Sequence, residues 1–368
     1  MSQVNFTMNA SIEETKQLIH VMGDSVTPII VSEPGVGKSS LLSMIATDNG
    51  DAWRKVGDVC ENDKYDYIYV DCPVKDMMDV AASIPNHQTR TLEYYVSDLF
   101  KMNSGKPKVI MLDEFMKAPK LLQIIFTRRI LERTVGDVPL PHGSILFATS
   151  NNASDGVGDS MLGHVGNRVT VVNMRKPSHD EWNIWATKNK IARAVRAWAS
   201  MNTKAFKSYL DPNQADNEFI FKPSSTAKQF VSPRSLAKAS VLVERKDQIS
   251  EHMLMVALSG TIGEAGARSM SAFIQLEGKL MDFKTILNNP KQVRVPDEVS
   301  ALIMMMFEAV DKIDTQDELN KYMEFVERIP QAEVQAIFFT MIMHTKPRIG
   351  RYNNMIMKWA TENHILLS

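Results

Sequence analysis

A glycine-rich segment near the start of the chain has the residue types and spacing of a phosphate-binding loop. The segment Ser32–Ser39 reads Ser-Glu-Pro-Gly-Val-Gly-Lys-Ser, follows the apolar, β-branched run Thr27–Val31, and precedes apolar residues at helical spacing. Its small residues would let successive backbone N–H groups approach phosphate oxygens, and the N-terminus of the following helix would add positive potential. Lys38 would contact the β- and γ-phosphates of a nucleoside triphosphate, and the Ser39 hydroxyl would bind Mg²⁺.

The predicted phosphate loop departs from the usual pattern at one position. Ser32 stands where such loops usually carry their first glycine. This position mainly requires a small residue at the turn, so we expect a modest effect on binding. A glycine-rich turn that binds nothing is the alternative, but the strand before the loop, the helix after it and the intact Gly-Lys-Ser favour nucleotide binding. The predicted ATP-binding residues of the loop are Glu33, Pro34, Gly35, Val36, Gly37, Lys38, Ser39 and Ser40.

Two adjacent carboxylates follow a second apolar run. Val109–Leu112 consists of four apolar residues and leads directly into Asp113 and Glu114. A strand buried on both faces would deliver these acids to its carboxyl end, where open α/β sheets bind ligands. Asp113 would bind Mg²⁺ together with Ser39, and Glu114 would orient and deprotonate the attacking water. A strand that simply ends at the surface would explain the pair without catalysis, but the phosphate loop upstream favours the catalytic interpretation.

Further strand and helix candidates indicate an α/β fold. Short apolar, β-branched or aromatic runs predict strands at Tyr67–Val70, Ile145–Thr149 and Val169–Val172, and helices are predicted at Leu92–Lys101 and Lys120–Arg133. Strands that alternate with helices over this length indicate a mainly parallel sheet with helices on both faces. The expected fold class is therefore an α/β core of the P-loop type.

The pattern changes to almost continuous helix after Pro177. Ser232 followed by Pro233 has the cap and first-turn residues of a new helix. The Asn-Asn-Pro-Lys sequence at 288–291 indicates a boundary, and three amphipathic helices follow it in succession. We therefore predict three parts: an α/β nucleotide-binding core at 1–176, a helical lid at 177–288 and a C-terminal helical extension at 289–368.

The residues around the acidic pair carry a more specific resemblance. Asp113–Pro119 reads Asp-Glu-Phe-Met-Lys-Ala-Pro, a Leu-Leu-Gln triplet follows soon after, and Ile130–Thr134 reads Ile-Leu-Glu-Arg-Thr. This stretch resembles the MoxR-like branch of AAA+ ATPases, in which Asp-Glu-x-x-Lys/Arg-Ala-Pro leads into a helix that ends in Glu-Arg. The resemblance covers about residues 10–245 and implies an ATPase with ATP and Mg²⁺ as cofactors. The region from about residue 290 onward carries no such resemblance.

The resemblance also implies roles for three further residues. Ala148–Asn151 matches the sensor strand of these ATPases, so Asn151, next to Asn152, would hold the attacking water. Arg168 lies where the family carries an arginine finger, which would act on the ATP of a neighbouring subunit. Arg234 resembles the sensor-two arginine of the lid and would touch the γ-phosphate. For Asn151, the alternative is a turn-forming asparagine pair. For Arg168, the alternative is a plain surface arginine. Other candidates for the trans-acting arginine are Arg128, Arg129 and Arg133.

Two inserts are expected to be the moving parts. Asp76–Tyr95 occupies the position of the family's insert in the second helix, and Thr134–Pro141 is expected to form a short hairpin before the sensor strand. In related proteins such inserts face the central pore or the substrate. Without the resemblance, both segments would be interpreted as exposed loops.

The composition limits the classes of partner. Of the 368 residues, 44% are hydrophobic and 23% are charged, and the formal net charge is -1. These values are ordinary for a soluble globular protein and give no bulk attraction to nucleic acid or to anionic lipid. No secretory signal or membrane-length apolar run is visible, and the two cysteines fit no zinc or redox spacing. We therefore expect a cytoplasmic protein that associates with no membrane, and nucleic acid is a disfavoured partner.

The resemblance to MoxR-like AAA+ ATPases implies a ring-forming ATPase motor, with a homohexamer as the expected assembly. The resemblance implies that ATP hydrolysis drives the remodelling or maturation of a protein client, often with a von Willebrand factor A-type partner. Two other classes stay open. A nucleic-acid-directed AAA+ motor or loader would show ATPase stimulation by DNA with a steep salt dependence. A nucleotide-gated, non-catalytic scaffold would bind ATP without hydrolysing it.

Overall fold

The computed structural model describes residues 8–50, 59–61, 64–127, 132–152, 169–226 and 228–362. The chain divides into two compact units, Met1–Lys176 and Pro177–Ser368. The first unit is built around a parallel sheet and the second from helices, so the predicted fold class, an α/β core of the P-loop type followed by an all-α region, is confirmed.

Six strands form the central sheet of the first unit, in the order β10-β1-β9-β6-β3-β2. Five of them are parallel, and β2 pairs antiparallel with β3 at one edge. All the strands predicted for this sheet are present, and the short edge strand β2 was not predicted. The six strands are β1 (Thr27–Ser32), β2 (Val59–Glu61), β3 (Asp66–Asp71), β6 (Lys108–Asp113), β9 (Ile145–Asn151) and β10 (Val169–Asn173).

Helices cover both faces of this sheet because its strands are apolar on both sides. Helix α1 (Ile12–Met22), which begins in a capping box between Ser11 and Glu14, and helix α2 (Leu41–Asp48) pack on one face. Helix α3 (Lys120–Ile125) packs on the other face. Alternate residues of each strand point to opposite faces, and β6 and β9 are buried along their whole length. The sheet is therefore a rigid platform for the residues at its carboxyl edge.

Two small hairpins extend from the first unit. Strands β4 (Ala81–Asn86) and β5 (Thr91–Val96) pair antiparallel, as do β7 (Thr134–Val135) and β8 (Val138–Pro139). The hairpin predicted at Thr134–Pro141 is confirmed. The helix predicted at Leu92–Lys101 is wrong, because its first half is the strand β5 and its second half contains only a short 3₁₀ turn.

The helix predicted at Lys120–Arg133 is observed only in part. Helix α3 ends at Ile125, and residues 128–131 lie outside the described residues. Arg133 does not belong to a helix: its backbone has a φ of 68°, and its guanidinium donates to the carbonyls of Gly23 and Ser144 at 2.6 and 3.0 Å. This side chain therefore ties the start of the β7–β8 hairpin to the end of α1.

The second unit consists of helices around one hydrophobic core. The cap predicted at Ser232 is present, since the hydroxyl of Ser232 accepts a hydrogen bond from the backbone of the first helical turn, and Ser178 caps the first helix of this unit in the same way. The helices are α4 (His179–Lys188), α5 (Arg193–Met201), α6 (Pro233–Glu244), α7 (Glu251–Glu277), α8 (Phe283–Asn288), α9 (Val299–Lys312), α10 (Gln316–Val326), α11 (Ala332–Thr345), α12 (Pro347–Gly350) and α13 (Asn354–Glu362).

The three amphipathic helices predicted near the end of the chain are α9, α10 and α11, but α9 is more deeply buried than its pattern indicates. The sequence predicts one apolar face, whereas every residue from Ser300 to Val310 is buried. Its neighbours include α5, α7, α8 and α11. Side chains from both sides of residue 289 share one core, and the boundary proposed at that position remains a prediction.

Partly buried ion pairs join segments of the second unit that are distant in sequence. Arg193 of α5 pairs with Glu277 of α7 at 2.6 Å and with Glu308 of α9 at 2.8 Å, and Lys246 adds a second bond to Glu277 at 2.5 Å. Arg196 is 1% exposed and pairs with a carboxylate of α9. The basic face of α5 is thus partly internal. In the part of the chain that the structure describes, no helix combines the length and apolarity that crossing a bilayer requires.

Candidate phosphate- and metal-binding site

The predicted phosphate loop connects strand β1 to helix α2, which packs on one face of the sheet. Strand β1 ends at Ser32, and a 3₁₀ turn at Lys38–Ser40 leads directly into α2. Two positions in the loop have left-handed backbones, with φ values of 80° at Gly35 and 113° at Gly37. Residues with a Cβ atom rarely adopt these conformations, so the glycines allow the tight path of the loop.

The Lys38 ammonium lies inside this loop. Its side chain is 6% exposed, and Nζ donates to the carbonyl oxygens of Ser32 and Glu33 at 3.0 and 2.9 Å and to the Ser32 hydroxyl at 3.1 Å. A fourth bond reaches Oδ1 of Asn151 at 2.8 Å. These four acceptors are oxygen atoms at the carboxyl ends of β1 and β9 and in the loop that follows β1. Lys38 and Asn151, predicted from separate motifs, therefore lie together.

The register of the sheet explains why Lys38 and Asn151 lie together. In the parallel pairing of β1 with β9, Ser32 is the partner of Asn151. Strand β9 lies between β1 and β6. The phosphate loop after β1 and the acidic pair at the end of β6 therefore lie on either side of the last residues of β9. Parallel strands bring their carboxyl ends to the same edge of a sheet, where ligands bind in open α/β folds.

Asp113 is a buried carboxylate that accepts three hydroxyl hydrogen bonds. It is 5% exposed, and its Oδ2 accepts from the Ser39 hydroxyl at 3.0 Å and from the Tyr69 hydroxyl at 2.7 Å. Its Oδ1 accepts from the hydroxyl of Thr149. The two predicted metal ligands, Ser39 and Asp113, are thus in direct contact.

The donor set at this position fits Mg²⁺. A carboxylate and a hydroxyl are hard oxygen ligands, and Mg²⁺ is usually bound by one or two carboxylates together with substrate phosphates and water. Ser39 is half-buried at the start of α2, next to the loop that would hold the phosphates. The residues present therefore fit a magnesium ion bound together with a nucleotide.

Glu114 differs from Asp113 in both backbone and surroundings. Its φ is 50°, a left-handed conformation that costs roughly 1–3 kcal/mol for a residue other than glycine and that clusters at functional sites. Its backbone N–H donates to Thr149 Oγ1 at 3.2 Å, and its carboxylate pairs with Lys117 at 2.8 Å. This backbone turn takes the Glu114 side chain away from the path of β6, while Asp113 stays in the strand.

Sequence reasoning missed two of the residues at this site. Tyr69 and Thr149 both donate to Asp113, one from each neighbouring strand. The available signal was their position: each lies within two residues of the carboxyl end of a strand that flanks β6. Burial and the hydrogen bond to Asp113 raise the pKa of Tyr69 far above its ordinary value, so its phenol stays protonated and acts as a donor.

The described structure does not test the roles predicted for the remaining arginines. Arg168, Arg128 and Arg129 lie outside the described residues. Arg234 follows Pro233 in the first turn of α6, within the second unit. The roles assigned to these arginines therefore remain predictions.

The segment predicted as the insert of the second helix forms the β4–β5 hairpin. Several of its large apolar side chains are exposed, among them Leu92 and Tyr95 at 62% and 57%. Its base approaches the turn of the β7–β8 hairpin, where a Cβ on Gly136 would lie 3.3 Å from Val96. The two predicted inserts are thus neighbours within the first unit.

Comparisons with known proteins add only distant structural similarities. No protein-family profile and no curated protein matches the chain. Solved structures that it resembles include the Thermotoga maritima RuvB Holliday junction branch migration motor, with 11% identity, coverage of 88% of this chain and 89% of that one, and a TM-score of 0.35.

Two further solved structures are similar at the same level. NtrX from Brucella abortus, in complex with ADP, has 12% identity, coverage of 98% of this chain and 70% of that one, and a TM-score of 0.36. A candidate ATPase from Cytophaga hutchinsonii has 14% identity, coverage of 96% and 88%, and a TM-score of 0.31. Because these TM-scores lie below 0.5, the assignment of the fold rests on the strand order, the glycine-rich loop and the helical second unit described above.

Proposed function

We propose that the chain is a Mg²⁺-dependent ATPase of the AAA+ type. The observation that carries this proposal is the pair of contacts at the carboxyl edge of the sheet: Lys38 Nζ lies 2.8 Å from Asn151 Oδ1, and Ser39 Oγ lies 3.0 Å from Asp113. A cation, a hydroxyl, a carboxylate and an amide thus converge beside a glycine-rich loop at a helix start, which is the set of groups that phosphoryl transfer requires.

Each group has a distinct role in this proposal. Lys38 binds the β- and γ-phosphates. Ser39 and Asp113 would hold Mg²⁺, which when bound neutralises charge on the transferred phosphoryl group. Glu114 accepts the proton of the attacking water, and Asn151 orients that water from the end of β9. The contact between Asn151 and Lys38 keeps these two groups at the same end of the site.

The finer assignment is a ring-forming motor of the MoxR-like type. It is supported by the Asp-Glu-x-x-Lys-Ala-Pro sequence that begins at Asp113 and by the two adjacent hairpins. In this assignment Arg168 completes the ATP site of a neighbouring subunit, Arg234 links the helical unit to the γ-phosphate, and the assembly is a homohexamer. ATP hydrolysis would remodel or mature a protein client, with a von Willebrand factor A-type protein as a candidate partner.

The first experiment separates nucleotide binding from hydrolysis. Lys38→Ala should abolish ATP binding, and Glu114→Gln should bind ATP but hydrolyse it at least a hundredfold more slowly, since a general base contributes about 10²–10⁴-fold. Lys120→Ala, which removes an exposed lysine at the start of α3, is the control and should behave as wild type. Binding is measured by calorimetry and turnover by phosphate release. Hydrolysis by Glu114→Gln at the wild-type rate would show that another group is the base.

The second experiment tests assembly and action between subunits. The mass in solution should increase to that of a ring when ATP is added to Glu114→Gln. Arg168→Ala should bind ATP normally but lose assembly-dependent turnover. A mixture of Arg168→Ala with Glu114→Gln should regain activity, since some interfaces then carry both intact residues. Failure of the mixture to regain activity would contradict a trans-acting role for Arg168.

The third experiment identifies the class of client. A Glu114→Gln ring with bound ATP should retain a protein client in a pull-down, whereas Lys38→Ala should not. ATPase activity measured with added DNA over a range of salt concentrations is the counter-test. Strong stimulation by DNA that falls steeply with salt would replace the protein-remodelling proposal with a nucleic-acid-directed motor.

A further inference from the structure

The hydroxyl of Tyr69 occupies a specific place beside the proposed metal carboxylate. In the pairing of β3 with β6, Tyr69 is the partner of Met111 and Asp71 is the partner of Asp113. Tyr69 therefore lies diagonally opposite Asp113 on the same face of the sheet, within reach of a long side chain. Its hydroxyl donates to Asp113 Oδ2 at 2.7 Å.

We propose that Tyr69 is a positioning residue that sets the orientation of the Asp113 carboxylate for binding Mg²⁺. This inference rests on the proposed function, because it concerns the same metal site. Tyr69 does not itself contact metal or nucleotide in the proposal. It fixes the rotation of the carboxylate, so that the metal meets a preformed ligand.

The hydrogen bonds around Asp113 support this role. Thr149 donates to Oδ1 from β9, and Tyr69 and Ser39 both donate to Oδ2. Of these three donors, Ser39 is the proposed metal ligand, so its hydroxyl must serve both the ion and Asp113. In the proposal, the phenol of Tyr69 donates to Asp113 and is not a metal ligand. With both oxygens held by donors on rigid strands, the carboxylate has a defined plane when the ion arrives.

The ring of Tyr69 is itself held in place. It packs against the hydrophobic cluster between the sheet and helices α1 and α2, which includes Tyr67, Val109 and Met111. A phenol anchored in this way loses little further rotamer freedom when it donates a hydrogen bond. Partners of this kind, which orient a metal ligand without touching the metal, typically contribute 10–100-fold to metal affinity or activity.

The test compares two tyrosines on the same strand. Tyr69→Phe removes the donor to Asp113, whereas Tyr67→Phe removes a hydroxyl that accepts from Asn49 at 2.8 Å, away from Asp113. The affinity for ADP is measured by calorimetry with Mg²⁺ and with a chelator, and the ratio of the two affinities gives the contribution of the metal. Binding of Mn²⁺ to the protein–ADP complex, followed by electron paramagnetic resonance, provides a readout independent of turnover.

Tyr69→Phe should reduce the contribution of the metal about tenfold and raise the Mg²⁺ concentration for half-maximal ATPase activity by a similar factor. Affinity for ADP in chelator should not change, and Tyr67→Phe should keep the wild-type ratio. Replacing Tyr69 by p-aminophenylalanine, which keeps the ring and an N–H donor at the same place, should restore the metal response. If the Phe variant does not fold, p-methoxyphenylalanine, which cannot donate, replaces it in the comparison.

The outcomes distinguish this inference from the proposed function. If wild-type protein binds ADP with the same affinity in Mg²⁺ and in chelator, or does not bind it, the proposed function fails. If wild-type protein responds to Mg²⁺ and Tyr69→Phe responds equally, the function stands and the positioning role of Tyr69 is refuted. A loss of folding stability without a change in the ratio would also refute it, because a purely structural hydroxyl produces that result.

Discussion

Thr149 links the two acids of the proposed site, and its replacement by valine tests the described geometry directly. Its hydroxyl donates to Asp113 Oδ1 and accepts from the Glu114 backbone N–H at 3.2 Å. The residue is 0% exposed and lies within β9. Valine has nearly the same shape, so Thr149→Val removes both hydrogen bonds while leaving the packing of the strand unchanged.

The magnitude follows from the two lost bonds. A hydrogen bond to a charged group contributes about 1.5–3 kcal/mol, and leaving a buried polar group without a partner costs about 1–3 kcal/mol. Because the Asp113 carboxylate keeps its other two donors and Glu114 is partly exposed, we expect the lower part of the combined range. The free energy of unfolding of the first unit should fall by about 2.5–4 kcal/mol, and ATP turnover should fall with it because Asp113 loses its fixed orientation.

The assay must follow the first unit alone. Four of the five tryptophans, Trp182, Trp185, Trp198 and Trp359, belong to the second unit, so fluorescence is unsuitable. Hydrogen exchange of peptides from β6 and β9, measured by mass spectrometry, reports the stability of the correct strands. Thr149→Ser is the matched control, since it keeps the hydroxyl and loses only a methyl group. If the valine variant protects β6 and β9 as well as the serine variant does, the hydroxyl does not hold the acids.

Two further predictions concern stability. Burial opposes ionisation of Glu277, but hydrogen bonds from its two basic partners outweigh burial and lower its pKa. This stabilisation is therefore complete above the carboxyl's ordinary pKa and is lost as pH falls through the lowered value. Glu277→Gln should destabilise the second unit by about 2 kcal/mol at pH 7 and by less at pH 4. The free energy of unfolding is measured by urea unfolding with tryptophan fluorescence. An equal difference at both pH values would show that the ion pairs of Glu277 do not stabilise the unit. Gly136→Ala should reduce the hydrogen-exchange protection of β4 and β5 more than Gly143→Ala does. Both glycines have left-handed backbones, but only at Gly136 would the new Cβ crowd Val96, at 3.3 Å. Equal costs would show that the two hairpins do not pack together.

The sheet and the phosphate loop could be predicted from the sequence because local and long-range signals agree there. The strands β1, β6 and β9 are short apolar runs that end in polar residues, and they are buried on both faces, as such runs indicate. Gly35 and Gly37 mark the left-handed positions of the loop. Each of these signals lies within one short segment, so none of them requires knowledge of the tertiary structure.

The β4–β5 hairpin could not be predicted in this way. Leu92, Tyr95, Val96 and Leu99 have the spacing of one helix face, which suggested a helix. Most of β5 is exposed, however, so no core imposes a helical period on this segment. The aromatic and β-branched residues of β5 pair with β4 instead. This pairing depends on a partner strand outside the segment, so the local pattern does not reveal it.

The hydroxyl donors to Asp113 were missed for a different reason. Tyr69 and Thr149 belong to two strands that lie on either side of β6 in space but are separated from it in sequence. Their contact with Asp113 depends on the order and register of the strands, which the residue types alone do not specify. The burial of the second face of α9 was missed similarly, because the helices that cover it come from distant parts of the chain.

The order of the strands has a consequence for synthesis of the chain on the ribosome. Within the described sheet, β1 pairs with β9 and β10, which are translated more than a hundred residues later. Until Ile145–Asn151 leaves the exit tunnel, β1 has an open edge on both sides, and the loop after it lacks the strand whose asparagine meets Lys38. Nascent chains that stop before β9 should therefore expose unpaired, aggregation-prone edges and depend on chaperones. The nucleotide pocket is then completed late in translation, and ATP should stabilise only chains that have reached that length.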